Sequence, residues 1–224
     1  MSEPSPEKSV SRGFYSAAFT KLFRSFFYPI TRFCKRMGIT PNAVTWASFF
    51  LGAATGVAFA MNHLHIGLAL GLVMGFADIV DGQLAKEFGG ETKFGGVLDS
   101  TIDRYNEFFV FAGYAWRYAS LGREIWMLPC ALAFFGSVMI SYIKSRAETA
   151  GYECKVGRLQ RPERLTVLAI GTLFLGPGVD IAIGFLAVAT QFTAGARLYH
   201  VWRGDRAGGN DRSPREGVNF HMEP

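Results

Sequence analysis

The sequence predicts an all-α polytopic membrane protein, with six transmembrane helices preceded by an N-terminal amphipathic helix lying in the interface. Three observations predict it. Half of the 224 residues are hydrophobic and only 18% are charged, too apolar a balance for an ordinary soluble domain. The apolar residues fall in long blocks, several of them near the roughly 20 residues that an α-helix needs to cross a bilayer core. The basic residues behind the net charge of +5 lie beside those blocks. That placement suits anionic lipid and positive-inside loops, not nucleic acid.

Each element follows from local sequence. Residues 1–12 read as a disordered polar leader, with no apolar core of a cleavable signal peptide. The membrane domain spans 13–203. In 13–36, Phe and Tyr alternate with Lys21, Arg24, Arg32, Lys35 and Arg36 at helical spacing, as in a helix with aromatics down and cations toward head groups. G-I-T-P-N opens the first span (43–61), with Thr40 or Asn42 as cap and Pro41 in the first turn. The NHLH turn (62–65) holds His63 and His65, which lack a third ligand and read as surface residues. A second span runs from 66 into D-I-V-D, and the loop KEFGGETKF leads to a third (95–117). A fourth covers 124–145, and a polar basic loop (150–160) leads through R-P-E-R-L to a fifth ending near 175. GPG (176–178) reads as a turn, a sixth span ends near 198, and 204–224 read as a disordered tail. Cys34, Cys130 and Cys154 are scattered, with no metal spacing and no disulfide framework.

Lys and Arg concentrate in the N-terminal segment, the 86–93 loop, the 144–164 region and the tail, all on one side. The opposite loops offer Arg117 and Arg123. The positive-inside rule therefore puts both termini on the cytoplasmic face of the cell (inner) membrane.

The chemistry concentrates between Asp78 and Asp103. Asp78 and Asp81 are spaced i,i+3 and Asp99 and Asp103 i,i+4, so each pair shares a helix face. The pairs flank one loop, at similar depth on the cytoplasmic side. A single such acid is ordinarily a cap or a partner of Lys or Arg. Four carboxylates at membrane depth mark a functional site, and bound divalent metal is the simplest way to keep them all charged. Oxygen-only donors suit Mg²⁺ or Mn²⁺ and argue against zinc. Four carboxylates can hold two ions about 3.5–4 Å apart, the arrangement that clamps a diphosphate. Gly82 and Ala85 let a nucleotide approach the backbone, and Lys86 and Thr92 lie within reach of phosphate oxygens. One Asp must accept a proton from the attacking alcohol. A cation-coupled transporter is the different-class alternative for acids in spans.

The pattern D-x-x-D-G-x-x-A-(R)-x8-G-x3-D-x3-D resembles the signature of the CDP-alcohol phosphotransferase (CDP-alcohol phosphatidyltransferase) family. Every position matches except Lys86, which stands where the family usually has Arg and loses its bidentate geometry. The likeness covers nearly the whole chain, including the six spans, the interfacial helix and the P-N at the head of the first span. It implies Mg²⁺- or Mn²⁺-dependent transfer from a CDP-linked lipid to an alcohol, with release of CMP. By similarity, Asp78, Asp81 and Asp99 bind metal, and Asp103 is the general base while touching the second ion. Pro41, Asn42, Ala43, Val44, Gly82, Lys86 and Thr92 contact the CDP-lipid.

Lys144, Arg164 and Arg197 end or begin spans on the same side, where each alone suits positive-inside anchoring. Together S-Y-I-K-x-R-A-E, R-P-E-R-L and R-L-x-x-V-W resemble the phosphatidylinositol-phosphate synthase branch of the family. The resemblance implies an acceptor pocket in which these three cations hold the phosphate of inositol 1-phosphate. Arg161 is an alternative to Arg164. The donor implied is CDP-diacylglycerol; glycerol 3-phosphate and free inositol are the rival acceptors. Homodimers are common in the family.

Overall fold

The computed structural model describes residues 17–89, 91–152, 154, 156, 157 and 159–208. The expected leader and the end of the expected tail lie outside them. The described residues form helices α1 (Ala17–Arg36), α2 (Pro41–Ala60), α3 (Leu64–Phe88), α4 (Lys93–Ser120), α5 (Met127–Thr149), α6 (Arg161–Leu173) and α7 (Leu175–Gly208), with a 3₁₀ turn at Glu124–Trp126. No strand occurs among them.

Four stretches are long and apolar enough to cross a membrane: α2, α3, Glu124–Thr149 and α7. The other two expected spans differ from these for separate reasons. Helix α4 has the length, at 28 residues, but carries Asp99, Asp103, Arg104, Glu107 and Arg117. Helix α6 has only 13 residues, about 20 Å, against a bilayer core of about 30 Å. Large apolar side chains face outward along these helices: Phe50, Val73, Phe135, Ile181 and Phe192 are all exposed, as in a bundle surrounded by lipid.

The helix ends follow their sequence signals. Thr40 caps α2, its Oγ1 accepting from Ala43 N at 3.3 Å, with Pro41 in the first turn. Gly89, at φ 73°, closes α3 in the left-handed conformation. Thr92 caps α4, its Oγ1 accepting from Gly95 N at 2.8 Å. Between α6 and α7 the break falls earlier than the expected turn at 176–178. Leu175 takes φ 55° and Gly176 departs from helical geometry, while Pro177 and Gly178 are already within α7. Helix α7 also runs on to Gly208, into the segment expected to be tail. The Tyr152 hydroxyl donates to Asp205 and Arg206 stacks 4.3 Å over Trp202, so the added turns have side-chain partners.

Helix α2 packs on both α3 and α4, α7 packs on α5 and α6, α4 meets α5, and α1 and α6 each lie on α3. Phe27 of α1 meets Phe76 of α3 with ring centroids 5.0 Å apart, and Thr31 donates to Gln83 at 2.9 Å. The α2–α4 contact depends on glycine. A Cβ on Gly56 would strike the Phe109 carbonyl oxygen, and one on Gly113 would strike the carbonyl oxygen of Gly56. Close approach through small residues is the usual way that helices associate in lipid, where apolar burial gives no drive.

At the end of the bundle remote from the Asp residues, Arg123 donates to both carboxylate oxygens of Asp180 (3.2 and 2.8 Å), and the Tyr118 hydroxyl adds a third bond at 2.6 Å. Beside it, Arg117 Nε donates at 2.7 Å to Asn62, whose φ of 62° forms the α2–α3 turn. Between the two ends lies a buried cluster including Phe59, Val110, Tyr114, Ala133, Leu168, Ile183 and Leu186.

Gly113→Ala is expected to destabilise the protein in detergent by about 1–3 kcal/mol through overpacking. Gly75→Ala, where nothing lies within 4 Å of an added Cβ, is the control and is expected to be neutral or stabilising. Unfolding midpoints of the two variants check this.

Candidate active site

Helix α3 presents Asp78 and Asp81, and α4 presents Asp99 and Asp103 one turn apart. One carboxylate oxygen from each of Asp78, Asp99 and Asp103 lies within 4.8 Å of the others. Asp81 stands outside this triad. It is 4% exposed, and its Oδ2 accepts from Thr45 of α2 at 2.8 Å. Arg161, at the start of α6, reaches between two members of the triad: its Nη1 is 2.7 Å from Asp78 Oδ2 and 2.7 Å from Asp103 Oδ1. Arg104 lies farther off, 3.7 Å from Asp103 Oδ2, with its Nη1 donating to the Ser100 carbonyl.

The donor set fits a hard divalent cation. Every ligand atom is a carboxylate oxygen, and Asp103 Oδ1 is buried with no hydrogen bond, balanced by the Arg161 ion pair alone. Three anionic oxygens this close need positive charge between them.

The residues expected to meet a CDP-lipid gather at the adjoining helix ends. A Cβ on Gly95 would lie 2.9 Å from Thr92 Oγ1 and 3.1 Å from Asn42 Oδ1, so the N-termini of α2 and α4 meet there. Two helix N-termini side by side present unpaired N–H groups and positive dipole ends, as anionic oxygens require. Pro41, Asn42 and Val44 are half-buried, while Ala43, Lys86 and Thr92 are exposed. Gly82 is exposed too, with nothing within 4 Å of an added Cβ. A ligand can therefore lie against the α3 backbone at that point.

The three cations expected at the acceptor each have internal partners. Lys144 is half-exposed and sits 3.8 Å from Glu148. Arg197 donates to the carbonyls of Val156 (2.9 Å) and Ile140 (2.7 Å). Arg164 donates to the Leu159 carbonyl and forms a 2.6 Å ion pair with Glu107, both partners being about 95% buried. Of the two arginines left open by the sequence, Arg161 therefore turns toward the Asp triad and Arg164 turns away from it. Glu107 is the residue that the motif missed. It lies four residues beyond Asp103 on the same face, the third acid of α4, and that spacing was the signal available.

Taken together, a carboxylate triad, two facing helix N-termini and an apolar exterior define a membrane-embedded enzyme that handles an anionic, metal-bound group. The family model for CDP-alcohol phosphatidyltransferase matches residues 38–194. The phosphatidylinositol phosphate synthase of Mycobacterium marinum is 35% identical over 187 residues, covering 78% of each chain. The archaetidylinositol phosphate synthase of Methanothermobacter thermautotrophicus is 33% identical over 189 residues, covering 83% of this chain and 93% of its own. Crystal structures of the Mycobacterium tuberculosis phosphatidylinositol phosphate synthase superpose with a TM-score of 0.74. The complex with manganese and citrate is 34% identical and covers 83% of this chain and 92% of that one. The complex with CDP-DAG is 32% identical and covers 87% and 99%. The chain belongs to the CDP-alcohol phosphatidyltransferase family and is a transferase.

Removing one partner of the Glu107–Arg164 pair leaves a charge buried and alone. Glu107→Ala or Arg164→Ala is each expected to cost about 3 kcal/mol or more, and the double variant clearly less than the sum. Unfolding of the four proteins in detergent checks this; additive losses would show that the pair carries no coupling.

Proposed function

We propose that this protein transfers the phosphatidyl group of CDP-diacylglycerol to inositol 1-phosphate, giving phosphatidylinositol phosphate and CMP. The observation that carries the reading is the convergence of Asp78, Asp99 and Asp103 within 4.8 Å beside the N-termini of α2 and α4. The relatives named as inositol phosphate synthases, and the neighbour with CDP-DAG bound, support the donor and acceptor classes. Belonging to this family favours transfer over cation transport.

Asp78, Asp99 and Asp103, with Asp81 behind them, would hold Mg²⁺ or Mn²⁺, as two ions. Bound there, metal would neutralise the diphosphate and ease departure of CMP. The helix N-termini at Pro41–Val44 and at Thr92, together with Lys86, orient the diphosphate, and Gly82 leaves room for it against α3. The acceptor hydroxyl attacks the phosphorus that bears diacylglycerol, the anhydride bond breaks, and Asp103 takes the hydroxyl proton. Lys144, Arg197 and one of Arg161 and Arg164 meet the acceptor phosphate. The Glu107 pair favours Arg161 for that third place.

In the same reading α4 and α6 complete a six-span bundle. Helix α1 lies in the interface, and the basic end of the bundle, with the active site, faces the cytoplasm of the inner membrane.

Purified protein with CDP-diacylglycerol and Mg²⁺ is expected to release CMP with inositol 1-phosphate, and not with free inositol or glycerol 3-phosphate; excess EDTA is expected to stop it. Turnover with another alcohol would reassign the acceptor, and no CMP under any condition would sink the reading. Asp103→Asn is expected to lose at least about 10²-fold in rate, the low end of a general-base contribution, while retaining CDP-lipid binding. Full activity in that variant would remove Asp103 from the base role.

A further inference from the structure

We propose that Arg161 is a tethered counter-cation, which occupies the carboxylate triad in the metal-free protein and must withdraw before a divalent ion can bind. The inference rests on the proposed metal role of the triad and concerns what metal has to displace there.

Its position within the triad carries the argument. A single nitrogen, Nη1, lies 2.7 Å from Asp78 Oδ2 and 2.7 Å from Asp103 Oδ1, so one atom sits between carboxylates from two helices. Those carboxylates belong to the triad whose oxygens lie within 4.8 Å of one another. A metal ion ligated by both would put a second positive centre within bonding distance of the oxygens that Arg161 holds. Two unscreened cations so close repel strongly, so the two occupancies exclude each other. Arg161 keeps its proton at any working pH, so it leaves as a cation and the exchange is of one positive charge for another.

The other arginines nearby are held differently. Arg164, on the same helix, is 4% exposed and bonded to both Glu107 and a backbone carbonyl, as a permanent structural ion is. Arg104 is 37% exposed and only 3.7 Å from Asp103. Arg161 lies between these cases. Its side chain is 17% exposed, which gives it a way out, and its Nε is buried with no hydrogen bond among the described residues. Its planar fork is not matched to one carboxylate, the arrangement that makes an arginine pair durable. The guanidinium is therefore held by charge, which a divalent ion supplies more strongly.

Two consequences follow. In the metal-free protein Arg161 fastens α6 to α3 and α4 and prevents the acids from driving the helices apart. In the loaded protein it is free to turn to another anion, so the apparent metal affinity includes the work of displacing it.

The test uses full-length protein in detergent, with Mn²⁺ as the probe. Free Mn²⁺ is read by electron paramagnetic resonance, and the unfolding midpoint is taken in EDTA and in saturating Mn²⁺. Arg161→Gln is expected to bind Mn²⁺ at least about tenfold more tightly, the scale of a hydrogen bond to a charged group. It is also expected to unfold at a lower temperature in EDTA and to gain more from Mn²⁺ than the unaltered protein. Arg161→Lys, which keeps the charge, is expected to fall between the two and serves if the Gln variant folds only with metal. Asp99→Asn, a triad change outside the Arg161 pairs, is expected to lose tight Mn²⁺ binding. If Asp99→Asn loses binding but Arg161→Gln binds Mn²⁺ no more tightly than the unaltered protein, the counter-cation role is overturned and the metal site stands. If Asp99→Asn leaves binding unchanged, the triad is not the metal site and both readings fall.

Discussion

Carboxylates inside an apolar bundle need positive charge or a hydrogen-bond donor, and this requirement organises the polar half of the molecule. Four of the acids meet it within the protein. Asp81 takes a hydroxyl from Thr45, Glu107 takes Arg164, and Asp78 and Asp103 share Arg161. Both arginines come from α6, so that short helix has an electrostatic reason for its position. It packs on α7 and α3, and its two cations, three residues apart, reach two acids of α4 that are four residues apart. The rises, about 4.5 and 6 Å, are close enough for both pairs to form at once.

The apolar half supplies rigidity. The α2–α4 contact at Gly56 and Gly113 brings two backbones together without side chains between them. The far end is fixed by Asp180, which accepts from Arg123 and Tyr118 and so ties the α4–α5 corner to α7. The site lies at the other end of the same rigid elements, so the relative positions of its acids on α3 and α4 are set by packing many residues away.

Much of this was legible in the sequence, because the rules involved are local. Spacing alone put Asp78 with Asp81 and Asp99 with Asp103 on shared helix faces, and Thr40 or Asn42 with Pro41 marked the start of the first span, where Thr40 is the residue that caps α2. What the sequence left open depends on contacts between distant segments. Arg161 and Arg164 share one helix face, so periodicity cannot separate them; only the placement of α6 in the bundle sends the first to Asp103 and the second to Glu107. Asp81 read as equal to its neighbours because nothing local shows that Thr45, 36 residues away, would face it. Apolar length also missed two features. Gly176 bends the chain where a longer turn was expected, and α7 continues past the last apolar residues because Tyr152 and Trp202 give its end partners.

The shortness of α6 gives the membrane around this protein an uneven profile. Its last residues lie near the Asp180 end of the bundle, and its 13 residues rise about 20 Å from there. The helix therefore begins roughly 10 Å short of the opposite face of a core about 30 Å thick. Arg161, the first residue of the helix, keeps 17% of its side chain exposed at that end. A bilayer core that meets this helix must thin or leave the difference to polar atoms, a local mismatch that the longer α3 and α7 do not impose.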